Sequence, residues 1–506
     1  MTHFRKVEAA SRRLSGKVEA ASRRLSPSWQ SLMVVTLAVA AFAGCAVGPD
    51  YQRPATLGTN SVPTQFETAS GVTWRTVEPS AHLPKAAWWE AFQDASLNAL
   101  EAQAVVDNQS LRAAVARLEA ARADVQIAQS DYFPHLSATP SATRQRSSKS
   151  IPENGHPAGK PYTYSNYLIP LQVGWEPDLW GRIRRQVEGA KARFQADADD
   201  LESTKLAIQA EVAVSYFTLR ALDLETALLQ ATVIDFQRAA ELVKNRRKGG
   251  IATDLDVAQA VTQLRATEAQ VPAVEQQAAR IRHALATLTG RPAIGFNWKS
   301  QTNFTFTLPV LSPGQPSELL ERRPDVAASE RRMAAANADI GLAKTAFYPR
   351  FRMNGLAGLQ SVNANTVFDA SSRLWSVGPS VDWPLFTGGR NRAGVESAQA
   401  IYTATVAQYR ANVLAAFQEV EDYLTDHQLL ASELESESAA RDAARQTEEI
   451  ATHRYEAGLV TYLEVATAQS VALGHERTVV RLQGEQAVAL ASLAKALGGG
   501  WASADR

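Results

Sequence analysis

Arg246-Arg247-Lys248-Gly249-Gly250-Ile251-Ala252-Thr253-Asp254-Leu255-Asp256-Val257-Ala258 has a counterpart further along the chain, Arg454-Tyr455-Glu456-Ala457-Gly458-Leu459-Val460-Thr461-Tyr462-Leu463-Glu464-Val465-Ala466. Both read R-x-x-x-G-x-x-T-x-L-[D/E]-V-A without a gap, because 454 − 246 equals 458 − 250 and 464 − 256. Each copy carries the local chemistry of one helix stopping and another starting. Gly250 and Gly458 can take the left-handed conformation that ends a helix at no Cβ cost. Thr253 and Thr461 stand at N-cap positions, and the acids three residues on, Asp256 and Glu464, are placed to complete capping boxes, the Glu better than the Asp. A single copy would be an ordinary helical-hairpin turn. Two copies in one register imply that a long helix reverses direction twice, as part of a duplicated plan.

Composition narrows the class. The 506 residues, 45% hydrophobic and 21% charged, exceed one ordinary helical domain and point to several units or one extended repeat. The 52 basic residues balance the 52 acidic ones, which removes any electrostatic case for nucleic acid. One cysteine cannot supply an internal disulfide or a cysteine-rich metal site. No window reaches the roughly 18 to 20 consecutive apolar residues of a membrane-spanning helix, so a membrane crossing would have to be made with strands. Catalytic signatures are missing as well. Gly474-His475-Glu476-Arg477 lacks the second His of a zinc helix, no phosphate-binding G-x-x-x-x-G-K-[S/T] occurs, and the histidines show no ligand spacing. Gly498-Gly499-Gly500 follows a helical stretch and reads as a helix stop. Neither an enzyme nor a cofactor is expected.

The N-terminus reads as targeting sequence. Residues 1–31 are basic and carry an internal duplication, Lys6 to Ser15 recurring as Lys17 to Ser26. Leu32 to Ala43 is an apolar run of signal-peptide length, followed by Gly44 and the lone Cys45. A lone cysteine is commonly just buried, but this position matches that of a bacterial lipoprotein cysteine, acylated as the first residue of the mature chain. Each buried acyl methylene contributes about 0.8 kcal/mol to membrane binding, so two or more chains anchor firmly. Ala46, rather than Asp, after the cysteine fits sorting to the outer membrane. Residues 1–44 are thus a signal peptide with a basic leader, and 45–85, rich in Pro, Gly, Ser and Thr, an extended lipidated tether.

The mature chain alternates two periods. Trp88-Trp89 opens a long helical zone that Pro134 ends. His135 to Arg146 is a polar strand candidate, a Pro/Gly loop follows around Pro152 to Pro161, and Tyr167, Ile169, Leu171, Val173 and Trp175 then alternate with smaller or polar residues. From Arg184 to Arg247 the pattern is helical again, over on the order of 95 Å at 1.5 Å per residue. A return helix runs from Thr253 to Thr289, with Pro272 expected to kink or divide it. The plan then repeats. Arg323-Pro324-Asp325 starts a helix whose Ala338-Asp339-Ile340-x-x-Ala343 matches Ala123-Asp124-Val125-x-x-Ala128 at an offset of 338 − 123 = 215, and Pro349 matches Pro134 at the same offset. Two strands follow, the second placing Trp375, Val377, Pro379, Val381 and Trp383 opposite Ser376, Gly378, Ser380 and Asp382. The helix from Arg392 to Glu456 has a seam at Tyr402, Val406, Tyr409, Val413, Ala416, Val420, Tyr423, His427, Leu430 and Leu434, alternating steps of 4 and 3, the period of a coiled coil. The repeats span 86–292 and 321–501, joined by an irregular connector, 293–320, and followed by a tail, 502–506.

Each half is therefore helix, β-hairpin, very long helix, tight turn, return helix. Four strands cannot close a barrel, and the smallest membrane barrels have about eight. If the strands span a membrane, the chain must oligomerise, the long helices continuing the barrel as a tube with the doubled turn at its far end.

With these motifs in place, the chain resembles the TolC-like outer membrane factors, nearest the NodT-type efflux lipoproteins. The resemblance rests on Cys45-Ala-Val-Gly-Pro-Asp-Tyr51, Trp88-Trp89-x-x-Phe92, Glu176-Pro-Asp-Leu-Trp-Gly-Arg182, Leu320-x-Arg322-Arg-Pro-Asp325, Pro384-Leu-Phe-x-Gly-Gly-Arg390, the doubled turn, and Ala496-Leu-Gly-Gly-Gly-Trp501. It implies an α+β membrane protein with two repeats per chain, forming a homotrimer whose twelve-stranded β-barrel is continued by an α-helical barrel. It implies a passive exit duct for small toxic compounds, joined by a periplasmic adaptor to an inner-membrane RND-type pump and held in outer-membrane lipid through acylated Cys45. Carried over residue by residue, the adaptor-binding tip is Arg246, Gly250, Thr253, Arg454, Gly458 and Thr461. Candidates for a periplasmic gate are Asp442, Glu448 and Glu449, acids that could equally belong to a solvated helix face. Two other readings stay open at this level: a duct for secreted polypeptides, and a lipid-anchored coiled-coil scaffold without a pore.

Overall fold

The computed structural model describes residues 46–57, 87–150, 161–309 and 322–499. The signal peptide, Cys45, most of the tether, residues 151–160 of the first hairpin loop, the end of the connector and the tail lie outside them. In chain order, a 3-10 turn, Trp88–Phe92, precedes α1 (Ala95–Asp107), α2 (Gln109–Ser130), β1 (His135–Ala138), β2 (Ser141–Arg146), β3 (Thr163–Trp175), α3 (Arg182–Lys248) and α4 (Asp254–Leu288). Then come α5 (Pro324–Thr345), β4 (Arg350–Ser361), β5 (Arg373–Asp382), α6 (Arg390–Glu456) and α7 (Tyr462–Ala496).

The duplication holds in length as well as in order. Helices α3 and α6 each have 67 residues, α4 and α7 each 35, and α2 and α5 each 22. The offset is 324 − 109 = 215 before the hairpin and 390 − 182 = 208 after it, so the second hairpin is shorter by 215 − 208 = 7 residues and these paired helices are otherwise in step. Each return helix ends in the same way. The Gly290 and Gly498 amides donate three residues back, to Thr287 and Lys495, and the next amides five back, to Ala286 and Ala494. Both glycines have positive φ, and a Cβ on either would collide with a carbonyl of the same repeat, Asp107 or Arg322.

Three elements differ from the sequence reading. The first helical zone is not continuous. It opens with the 3-10 turn and breaks at Asn108, whose side chain accepts from Leu111 N–H (3.0 Å) and donates to the Leu288 carbonyl (2.9 Å), tying the break to the return helix. The first strand is in two pieces, β1 and β2, interrupted at Thr139-Pro140, though both pair with β3 in one unbroken register. Proline has no N–H to give the ladder, and Pro140 lies on the sheet's outer strand, where that loss is tolerated. Pro272, finally, does not divide α4, which runs unbroken through it.

By contact the described chain separates into two compact units, each drawing on both repeats. The first comprises residues 46–52, Ala123–Ala192 and Ala334–Thr403. Its core feature is an all-antiparallel sheet in the order β1-β3-β4-β5, with β2 continuing β1 along β3. The register aligns Leu136 and Ala138 with Val173 and Leu171, these with Gly355 and Ala357, and these with Val377 and Trp375. One face of the sheet is therefore apolar and the other carries Gln172, Asn354, Ser376 and Ser380. The apolar face is bare: Trp375 is 78% exposed and Val377 69%. Withdrawing each such side chain from water would contribute roughly 1.5–3 kcal/mol, which a soluble sheet would not forgo. On the polar face, Asn354 donates to Ser380 Oγ (2.7 Å) and Gln360 to Asn166 Oδ1 (2.9 Å).

The second unit holds the remaining described residues and the large core. Its helices bury Leu, Val, Ala and aromatic side chains from α3, α4 and α7. The connector is more than a link. Arg220 of α3, 2% exposed, lies 4.3 Å from the Trp298 ring centroid and donates to the Lys299 carbonyl (2.9 Å), while Trp298 Nε1 donates to Asp223 (2.9 Å). Of the predicted α6 seam, Tyr409, Val413, Ala416 and Val420 are fully buried. No described helix is long and apolar enough to cross a membrane.

Candidate functional site: the paired turns

Both turns close as the sequence requires. Gly250 and Gly458 have φ of +73° and +76°. In the first turn Ile251 N–H donates to the Arg246 carbonyl (2.9 Å) and Gly250 N–H to Arg247 (3.0 Å). In the second, Leu459 donates to Arg454 (2.9 Å) and Gly458 to Tyr455 (3.0 Å), the same pattern shifted by 208.

The capping boxes come out the other way round from the expectation. Thr253 and Asp256 form the full box: Asp256 N–H donates to Thr253 Oγ1 (3.2 Å), and Thr253 N–H donates to Asp256 Oδ2 (2.8 Å). Thr461 stands at the N-cap position of α7 but makes no side-chain cap. Its partner Glu464 reaches instead to Arg454, 3.5 Å away. The longer side chain that made Glu look better suited also lets it leave for a cation across the turn.

What Thr461 lacks, the first turn supplies. The other oxygen of Asp256, Oδ1, accepts from Tyr462 N–H (3.4 Å), the first amide of α7. At the opposite end of the second turn, Arg246 Nη1 donates to the Glu456 carbonyl (3.2 Å) and Nη2 to the Tyr455 carbonyl (3.4 Å), closing the last turn of α6. Its guanidinium also lies over the Tyr455 ring, 4.9 Å from the centroid. Arg246 and Asp256 thus clasp the second turn from both sides. Their register equivalents, Arg454 and Glu464, pair with each other. A second exchange accompanies this one. Arg247 and Asp254 form a bidentate ion pair (2.8 and 3.0 Å), whereas the equivalent positions are Tyr455 and Tyr462, packed edge to face at 5.4 Å.

Electrostatics follow the geometry. Burial raises the Asp256 carboxyl, but the Thr253 amide and hydroxyl and the Tyr462 amide outweigh it and hold the group below the usual carboxylate range. Among the gate candidates, Asp442 pairs with Arg441 (2.8 Å) and Glu449 is exposed. Glu448 is half-buried, and burial first, then the charge of Glu476, pushes its carboxyl up. Arg445 is paired to Glu476 on α7. Between α6 and α7 lies an open groove of about 550 Å³, floored by Ala444, Ala451 and Ala468 and walled by Ile450, Leu463 and Val471.

The sequence reading missed the Tyr455–Tyr462 pair, the reach of Arg246 and Asp256 across the repeats, and Glu101. Glu101 of α1 is fully buried with neither carboxyl oxygen hydrogen-bonded among the described residues, and burial pushes its pKa up to about 9. Its signal was present: Leu97, Glu101 and Ala104 share the buried face of α1 at helical spacing.

A sheet with a bare apolar face, joined in one chain to two helical hairpins of which one turn clasps the other, is the build of an outer-membrane channel protein. The profile of the outer membrane efflux protein family matches residues 100–291 and 315–499. OprJ, an outer membrane protein of Pseudomonas aeruginosa, is 31% identical over 474 residues, 93% of this chain and 95% of its own. The toluene efflux pump outer membrane protein TtgF of Pseudomonas putida is 30% identical over 92% of this chain and 96% of its own. The outer-membrane channel OprN superposes with a TM-score of 0.80 at 31% identity, over 90% of this chain and all of that one (100%). VceC of Vibrio cholerae gives 0.75 at 30% identity, over 84% and 100% of the two chains. The chain belongs to the outer membrane efflux protein family. It is a passive efflux channel of the outer membrane, α+β in class and not an enzyme.

Proposed function

We propose that three copies of this chain close into one twelve-stranded barrel, continued by an α-helical tube, that serves as the exit duct of a tripartite efflux pump. The observation that carries this reading is the sheet: a bare apolar face and, among the described residues, one unpaired edge each on β1/β2 and β5. The sheet is antiparallel throughout, so these two edges run in opposite directions and β5 of one copy can pair with β1 of the next. Four staves per copy, counting β1 and β2 as one, give 4 × 3 = 12 in a symmetric ring.

In this reading the paired turns form the periplasmic tip, where Arg246, Gly250, Thr253, Arg454, Gly458 and Thr461 meet a helical-hairpin adaptor bridging to an RND-type pump. Cys45 is acylated and holds the chain in the outer membrane. Glu448, half-buried beside Glu476, is the best placed of the gate acids. Relatives are named for toluene, solvent and antibiotic efflux, and the cargo assigned here is of that kind, small toxic compounds rather than polypeptides.

Conductance of the purified full chain in planar bilayers tests the duct. Discrete channels in adaptor-activated preparations are expected. Silence in all of them would support the poreless scaffold. Incorporation of labelled palmitate, lost in Cys45→Ser, tests the anchor.

A further inference from the structure

The tip, the barrel and the tube leave one sequence motif without a role: Ala46-Val-Gly-Pro-Asp-Tyr51, directly after Cys45. It does not hang free. Val47 N–H donates to the Trp180 carbonyl (3.0 Å), pairing the segment with the corner between β3 and α3. Arg185, on the first turn of α3, donates to the Val47 carbonyl (3.2 Å), the Gly48 carbonyl (3.3 Å) and Asp50 Oδ1 (2.8 Å), and holds Glu188 at 2.7 Å. Its side chain is only 4% exposed. Asn337 of α5 donates to the Pro49 carbonyl (3.0 Å), and Tyr51 packs on Ala192, Ala334 and Ala335.

Three glycines let the backbones approach. Gly48 has φ +108°, and a Cβ there would stand 2.4 Å from Gly341 Cα of α5. A Cβ on Gly341 would meet Arg185, and one on Gly181 would meet Ala46, each at 2.9 Å. An arginine buried to meet the Val47 and Gly48 carbonyls and the Asp50 carboxylate, in a groove cleared by glycine, has the construction of a peptide-binding site.

We propose that residues 46–51 are a built-in peptide ligand and that Arg185, Asn337 and Gly341 form its receptor. Docking ties the Trp180–Arg185 corner of the first repeat to helix α5 of the second. It also sets residue 46 against Gly181 at the foot of the first hairpin, so the anchor on residue 45 enters the membrane at one defined place. This last consequence rests on acylation of Cys45; the docking itself does not.

The test uses the full-length chain in native outer membranes, exposed briefly to proteinase K and read by intact mass. Wild-type protein is expected to resist cleavage within residues 46–57, whatever is cut further along. Asp50→Asn and Gly48→Ala are expected to be clipped within residues 46–57 about tenfold faster or more, with trimers still seen on gels. Asp50 is itself exposed and Gly48 lies outside every helix and strand, so both variants remain foldable even if Arg185→Gln does not assemble. Clipping of both at the wild-type rate would overturn the receptor. A wild-type mass without acyl chains would instead sink the lipid reading and leave the docking result standing.

Discussion

The Arg246 guanidinium stacks on the Tyr455 ring and caps the last carbonyls of α6, so a residue of the first turn completes the second. Among the described residues none caps the first turn in the same way: Arg454 is held by Glu464 in its own turn. The two hairpin ends, identical in backbone, are therefore unequal in what sustains them. Arg246→Ala removes two carbonyl contacts and a cation–π contact, together about 1–2 kcal/mol. Arg454→Ala removes a half-exposed ion pair, about 0–1 kcal/mol. Hydrogen exchange at Ala457 to Leu459 should accelerate far more in the first variant, and Arg246→Lys, which keeps the charge but loses the fork, should fall between them.

Gly250→Ala and Gly458→Ala isolate backbone strain from crowding. No described atom lies within 4 Å of where either Cβ would stand, so each substitution costs only the left-handed conformation, about 1–2 kcal/mol. Turn stability should drop equally. Function should not, because the Gly250 turn carries the Arg247–Asp254 ion pair at its surface and the Gly458 turn the Tyr455–Tyr462 pair. Unequal loss of drug resistance is the expected outcome; equal loss would argue against the proposal that an adaptor docks at these turns and distinguishes them.

Asp256 gives the clasp a pH dependence with a fixed sign. Its carboxyl is held below the ordinary value of 3.8, so its stabilisation is complete above that pH and is lost as pH falls through the lower folded value. Amide exchange at Thr253 and Tyr462, corrected for intrinsic rate, should rise together as pH drops from about 5 towards 3. Asp256→Asn should raise both at neutral pH and flatten the profile. Independent responses at the two amides would show that one carboxylate does not serve both turns.

Much of this was legible in the residues. The two turns, the hairpins, the long helices and their repeat follow from glycines, threonines and periods that act over a few neighbours. What failed to show was decided across the duplication. The choice between Asp256 and Glu464 as box partners turned on Arg454, a cation ten positions away, and on Tyr462 of the other repeat. Of the two outcomes expected at Pro272, a kink or a break, the break does not occur: α4 packs along α7 and continues through it. Residues 46–51 carry no period of their own; their placement comes from Arg185 and Gly341, more than a hundred residues distant.

Glu101 supplies the last prediction. A carboxyl with no hydrogen-bond partner among the described residues, at the buried face of α1, is neutral in the folded chain, with its pKa pushed by burial from 4.5 up to about 9. A raised folded value means that the contribution is most favourable below pH 4.5 and is lost progressively as pH rises towards 9. At pH 7 the penalty relative to a neutral isostere is at most roughly 3 kcal/mol, from about 1.4 kcal/mol per pH unit. Glu101→Gln should therefore raise the melting temperature of the purified channel at pH 7 to 8, with the gain shrinking to nothing towards pH 4.5. A gain independent of pH would mean that Glu101 is already ionised in the fold, and that its oxygens have found a partner on assembly.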